Sequence, residues 1–131
     1  MIKDASPRFS LDSASGVPFY RQIIDQILAA IATGALATGD RLPTVRALAV
    51  ELAVNFNTVA RAYKELEIRG VLATQQGTGT FVAEHEVSVD DVERRRALNQ
   101  LVDEFLARAA RQGLTLVEIR GALAEREGGR R

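Results

Sequence analysis

The chain has 131 residues, 47% of them hydrophobic and 26% charged, and its 17 basic and 17 acidic side chains cancel to a formal net charge of zero. That is room for one ordinary domain, or a compact module with a short appendage, and it excludes two full domains. The absence of cysteine excludes disulfides, thiolate nucleophiles and thiolate metal sites. No apolar run reaches the roughly 18 residues of a membrane span. Met1-Ile2-Lys3-Asp4 leads into Ser, Pro and Arg, not into the apolar stretch of a secretion signal, so a cytoplasmic location is the default expectation.

Residues 1–16, with Ser6, Pro7, Ser10, Asp12, Ser13 and Ser15, read as a loosely ordered N-terminal arm, although Phe9 and Leu11 alternate as a short strand would. A first helix opens at Pro18, a good first helical residue, and carries Tyr20, Ile23, Ile24, Ile27, Leu28 and Ile31 on one face. Gly34 suits its left-handed cap. Leu36 to Pro43 reads as a tight turn and a short extended piece, because the residue before a proline is pushed out of the helical region. Thr44 is a natural N-cap for a two-turn helix, Val45 to Leu52, that buries Val45, Leu48 and Leu52.

Asn55 caps a third helix running to about Arg69, with Val59, Ala62, Tyr63 and Leu66 inward. Two short helices joined by about three residues make a helix-turn-helix. After Gly70, Val71 to Gln75 and Gly79 to Val82 read as strands flanking the loop Gln76-Gly77-Thr78, a hairpin wing. Beyond Glu84 the pattern is purely helical. A helix begins at Ser88, with Asp91 three residues on and Val87 and Val92 as a hydrophobic staple, and ends at Gly113. Thr115 and Glu118 then form a capping box, stapled by Leu114 and Ile119, for a last helix whose end, Glu125 to Arg131, should fray. The expected fold is mainly α with a small β-hairpin: a winged helix-turn-helix over 17–84 followed by a helical dimerisation tail over 85–131.

Zero net charge weighs against a nucleic-acid partner, because neutralisation of phosphates supplies most non-specific affinity. From Val17 to Ala83, Arg21, Arg41, Arg46, Arg61, Lys64 and Arg69 stand against Asp25, Asp40, Glu51, Glu65 and Glu67, so any affinity for DNA must come from placement. The outer side of the third helix carries Phe56, Asn57, Thr58, Ala60, Arg61 and Lys64 near its start, where a recognition helix meets base edges. Arginine takes guanine O6 and N7, and asparagine takes adenine N6 and N7, which makes Asn57 and Arg61 the best readers. The competing reading is a solvated helix face. Arg46 reaches a phosphate or the groove edge from the first turn of its helix, unless it pairs locally. Thr44 suits a phosphate contact, although capping is the job its position favours. At the wing, Gln76, Gly77 and Thr78 offer polar groups and a close backbone approach.

An enzyme finds little support. His85 between Glu84 and Glu86 lacks the spacing that gathers metal ligands, no nucleophile–base set is readable, and Gly77 and Gly79 do not form a phosphate loop after a buried strand. Neither a cofactor nor a metal is expected. Arg94-Arg95-Arg96 follows Asp90, Asp91 and Glu93 and reads as local helix pairing, with contact to flanking phosphates as the alternative.

Four ordered blocks, Pro18-Phe19-Tyr20-Arg21-Gln22-Ile23, Gly39 to Arg46, Asn55 to Tyr63 and Gly77 to Val82, resemble the N-terminal domain of GntR-family bacterial transcription regulators. The resemblance covers about half the chain, and the short two-helix tail is similar to the YtrA-like branch, which lacks a large effector domain and dimerises through that tail. It implies DNA contacts from Thr44, Arg46, Asn55, Asn57, Thr58, Arg61 and the Gly77 wing tip. The sequence departs from the family pattern at Ala53, where a turn glycine is usual, at Phe56, where a basic residue or proline is common, and at Gln75 and Gln76, which replace a wing arginine.

One such domain reads only a few base pairs, so specificity calls for two half-sites and a dimer. Leu98, Leu101, Val102, Phe105 and Ala109, with Leu116, Ile119 and Leu123, cannot all be buried within two helices, and the expectation is a homodimer gripping a palindromic double-stranded DNA operator as a repressor. The rival is a winged-helix protein-interaction module without DNA readout. The detached head of a fused regulator and aminotransferase is disfavoured, since no cofactor-binding domain follows. A tail this short does not enclose the several-hundred cubic ångström pocket of a small ligand, unless a dimer interface or a hinge near His85 forms one, so no effector is assigned.

Overall fold

The computed structural model describes residues 8–84 and 90–127. Its elements are α1 (Phe19–Thr33), α2 (Val45–Leu52), α3 (Phe56–Ile68), β1 (Leu72–Gln75), β2 (Gly79–Val82), α4 (Asp91–Arg111) and α5 (Leu116–Glu127). The chain divides into two units, Met1–His85 and Glu86–Arg131.

In the first unit α1 and α2 both pack on α3. The apolar face of α1 buries Ile23, Ile24 and Ile27 completely against Val59, Ala62, Tyr63 and Leu66 of α3, with Leu48 of α2 and Leu36, Leu42, Leu72 and Val82 closing the core. Each fully buried aliphatic side chain of this kind contributes about 1.5 to 3 kcal/mol over leaving it in water. On α2 the buried pair is Leu48 and Ala49, while Val45 and Leu52 are half-buried, because a helix this short turns only one narrow stripe inward. Pro18 is the N-cap of α1 and not its first residue, and Gly34 ends the helix at φ 85°.

Of the arm, residues 1–7, with Ser6 and Pro7, lie outside the described residues, and the described part, 8–16, differs most from expectation. Far from loose, Phe9 and Leu11 pack on the core, though no strand forms among the described residues there. Two glutamines of α1 hold the backbone there. The Gln26 amide accepts from Ser10 N at 2.9 Å and donates to Ser10 O at 2.7 Å, and Gln22 does the same for Asp12 at 2.9 and 3.0 Å. A side-chain amide thus does for an extended backbone what a neighbouring strand would do.

The hairpin pairs Leu72 with Val82, Ala73 with Phe81, Thr74 with Thr80 and Gln75 with Gly79. The segment 39–42 adds to its other side through an antiparallel bridge, Arg41 with Phe81. Leu42 N donates to Thr80 O at 2.8 Å and Val82 N to Asp40 O at 2.9 Å. This pairing joins the approach to α2 directly to the wing.

In the second unit α4 starts at Asp91, with Asp90 as its N-cap accepting from Val92 N at 2.9 Å, two residues later than a cap at Ser88. Aspartate and serine cap with similar strength, and Asp90 has the further advantage of placing a negative charge at the helix start. Val87 and Ser88 of the expected staple and cap, and His85, lie outside the described residues. The Thr115–Glu118 capping box forms as expected: Thr115 N donates to Glu118 Oε2 at 2.8 Å and Glu118 N to Thr115 Oγ1 at 3.3 Å. From there α5 stays helical to Glu127, past the expected fraying point at Glu125. No helix among the described residues is long and apolar enough to cross a membrane.

Candidate nucleic-acid interface

The recognition helix begins with a side-chain cap. Asn55, in extended conformation, accepts from Asn57 N through its Oδ1 at 2.8 Å, so its carbonyl oxygen satisfies the helix while its amide nitrogen stays exposed. Thr44 does the same for α2, accepting from Ala47 N at 3.0 Å, and its hydroxyl hydrogen is left to donate outward. Both residues cap, and each keeps one outward donor.

Between the two helices the chain turns at Ala53, with φ 54° and ψ 45°, the one non-glycine residue of positive φ among those described. Val54 N donates to Ala49 O at 3.0 Å and closes the turn. A Cβ in this left-handed region costs roughly 1 to 2 kcal/mol, which the surrounding packing has to absorb. The opposite anchor is Tyr63, which is buried and donates its hydroxyl to Pro43 O at 2.7 Å, tying the middle of α3 to the start of α2. Burial, and then the charge of Glu51, push its ionisation well above the usual tyrosine range.

Along α3, Asn57, Arg61 and Lys64 follow one another at helical spacing and are all exposed, opposite the buried Val59, Ala62, Tyr63 and Leu66. Thr58 is half-buried and offers less to a partner than they do. Arg61 is not a free side chain. Its guanidinium carbon lies 3.7 Å from the centre of the Tyr20 ring on α1, and its Nε is 3.6 Å from Glu65 Oε1. The stacking contributes about 0.5 to 1 kcal/mol at an exposed site and the helical pair about 0.3 to 0.5, enough to bias the guanidinium towards one place without locking it. A separation of 41 positions between Tyr20 and Arg61 hides this contact from any local pattern. Arg46 is exposed on the first turn of α2.

At the wing tip Gln76, Gly77 and Thr78 are exposed. Thr78 N donates to Gln75 O at 2.9 Å across a turn whose third residue, Gly77, has φ 81°, a conformation that favours glycine. Arg41, absent from the sequence-derived set, lies along this hairpin. A Cβ added at Gly79 would come within 3.0 Å of its Cδ, and its guanidinium reaches Thr78 O at 3.5 Å. Two acids of the unit are engaged locally: Asp40 accepts from Ala37 N, and Glu67 accepts from Thr74 Oγ1, each at 2.8 Å.

In the tail, Ala109 and Ile119 are buried, whereas Leu98, Leu101, Val102, Phe105, Leu116 and Leu123 are exposed. No group of three metal-ligating side chains occurs among the described residues.

The sequence pattern of the bacterial regulatory proteins of the gntR family matches residues 19–82. The uncharacterized HTH-type transcriptional regulator YhcF of Bacillus subtilis is 37% identical over 116 residues, covering 88% of this chain and 95% of YhcF. The HTH-type transcriptional repressor YtrA of the same organism is 44% identical over 75 residues, covering 57% of this chain and 58% of YtrA. Among solved structures, YtrA of Sulfolobus acidocaldarius, a GntR-family transcription factor, superposes with a TM-score of 0.56 at 37% identity, covering 76% of this chain and 97% of that one. With its helix-turn-helix, wing and short helical tail, the chain belongs to the GntR family of bacterial regulatory proteins and is a DNA-binding transcription regulator.

Proposed function

We propose that this regulator works in the cytoplasm as a homodimeric repressor that occupies a palindromic operator, with residues 17–84 reading DNA and residues 85–131 pairing the two copies. The observation that carries the reading is the single outward face of α3 shared by Asn57, Arg61 and Lys64, flanked by Thr44 and Arg46 at the start of α2 and by Gln76, Gly77 and Thr78 at the wing tip. In this arrangement α3 enters the major groove, Asn57 and Arg61 take base edges, and Lys64 takes a phosphate. Thr44, Asn55 and Thr58 support the phosphate contacts, and the wing lies beside the minor groove. The exposed apolar residues of α4 and α5 supply the surface that a second copy covers.

A mobility-shift titration of the full chain on DNA upstream of its own coding sequence tests this. A salt-sensitive complex with a palindrome is expected, and a folded dimer that forms none on any such fragment would sink the reading. Arg46→Ala and Arg61→Ala separate it from the protein-interaction module that zero net charge favours. A DNA reader loses roughly 1 to 3 kcal/mol of operator affinity where the arginine makes a bidentate base contact and shows a shallower salt dependence where it meets a phosphate, whereas an interaction scaffold keeps its partner binding in both variants.

A further inference from the structure

We propose that Phe56 is a specificity-determining residue that reads the C5-methyl group of a thymine in each operator half-site, an inference that rests on the DNA-binding reading above. Phe56 is the first residue of α3 and is 50% exposed. It stands about 100° round the helix from Asn57, to one side of the polar face of Asn57, Arg61 and Lys64, and is the exposed apolar residue of the first turn. It does not stand alone. Arg46, Val50, Ala53 and Val54 line one shallow groove with Phe56, and Val50 is 76% exposed, which makes this an apolar patch bordered by a cation.

The chemistry of the partner narrows what such a patch can meet. Base edges in the major groove are donors and acceptors with one apolar exception, the thymine methyl. Asn57, next in the chain, has its backbone N–H taken by the Asn55 cap and its side chain exposed. Phe56 and Asn57 share the first turn of α3, the part of a recognition helix that meets base edges. A phenyl ring makes no hydrogen bond that could distinguish the bases, and its preference reduces to the presence or absence of a methyl group. Arg46 on the rim of the patch suits the phosphate beside the contacted base.

The test uses the full chain and a palindromic duplex selected with it from a randomised pool. Each thymine is replaced singly by deoxyuridine, which removes the methyl and nothing else, and binding is measured for wild type, Phe56→Ala and Phe56→Leu, with circular dichroism confirming the fold of both variants. One thymine per half-site should weaken wild-type binding about fourfold when replaced, the value of one buried methyl group. The same replacement should be silent with Phe56→Ala and retain an effect with Phe56→Leu. A selected duplex whose deoxyuridine effects are absent, or are equal in wild type and Phe56→Ala, overturns the assignment while leaving operator binding intact, and directs the patch to an apolar protein partner instead. Failure to select any duplex overturns both readings.

Discussion

The two units use their apolar residues in opposite ways. In the first unit Ile23, Ile24 and Ile27 of α1, Val59 and Leu66 of α3 and Leu72 and Val82 of the hairpin are buried in a common core, whereas in α4 and α5 Leu98, Leu101, Val102, Phe105, Leu116 and Leu123 remain exposed in the single chain. Apolar residues at helical spacing thus have two outcomes. Where two or more elements converge, the stripe becomes a core. In the two helices of the second unit most of the stripe is exposed, and it is this surface that the proposed second copy would cover.

The contrast is open to attack from both sides. The largest effect is expected in the first unit: Leu66→Ala, at a fully buried site, should cost 2 to 5 kcal/mol in chemical denaturation. Leu101→Ala, measured at concentrations where the chain is monomeric, should cost under about 0.5 kcal/mol. Equal losses would erase the distinction. Next, Leu101→Glu combined with Phe105→Glu should convert a dimer into a monomer in sedimentation equilibrium and lower operator affinity about a hundredfold, since two linked half-site contacts become independent. A variant that stays dimeric would place the pairing surface elsewhere.

Tyr63→Phe sharpens the first unit alone. It leaves Pro43 O without its donor and should cost about 1 to 2 kcal/mol. Because folding raises the Tyr63 pKa, the folded state favours the neutral phenol. The associated stability is present below the ordinary tyrosine pKa of about 10 and is lost as pH climbs above it, so wild type should weaken in alkaline denaturation by a component that Tyr63→Phe lacks. The smallest effect is a gain. Ala53→Gly relieves the left-handed strain but adds freedom to the unfolded chain, and the balance should raise stability by about 0.5 to 1 kcal/mol in thermal unfolding with operator binding unchanged.

What is readable from sequence follows the range of the interaction. The limits of α2 and β2 are legible to the residue, because Thr44 as a cap, the Asn55 restart and Gly77 and Gly79 around the hairpin act within a few positions of themselves. The outward placement of Arg46, Asn57, Arg61 and Lys64 follows in the same way from helical periodicity. Long-range geometry leaves no such trace. The hold of Gln22 and Gln26 on the arm, the bridge of Arg41 to Phe81 and the stacking of Arg61 on Tyr20 each join residues that no local periodicity relates. The start of α4 is a different case, since Ser88 and Asp90 are both competent caps and local chemistry alone does not choose between them.

Pro43 is all that separates Leu42, hydrogen-bonded into the hairpin, from Thr44, the cap of α2. A one-residue tether leaves no slack. Lifting the hairpin away from the body drags the first turn of α2 with it, and Tyr63 holds that same proline carbonyl to α3. The wing and the helix pair should therefore open as one unit in hydrogen exchange, with the amides of Leu42, Val82 and Leu48 sharing a single opening free energy.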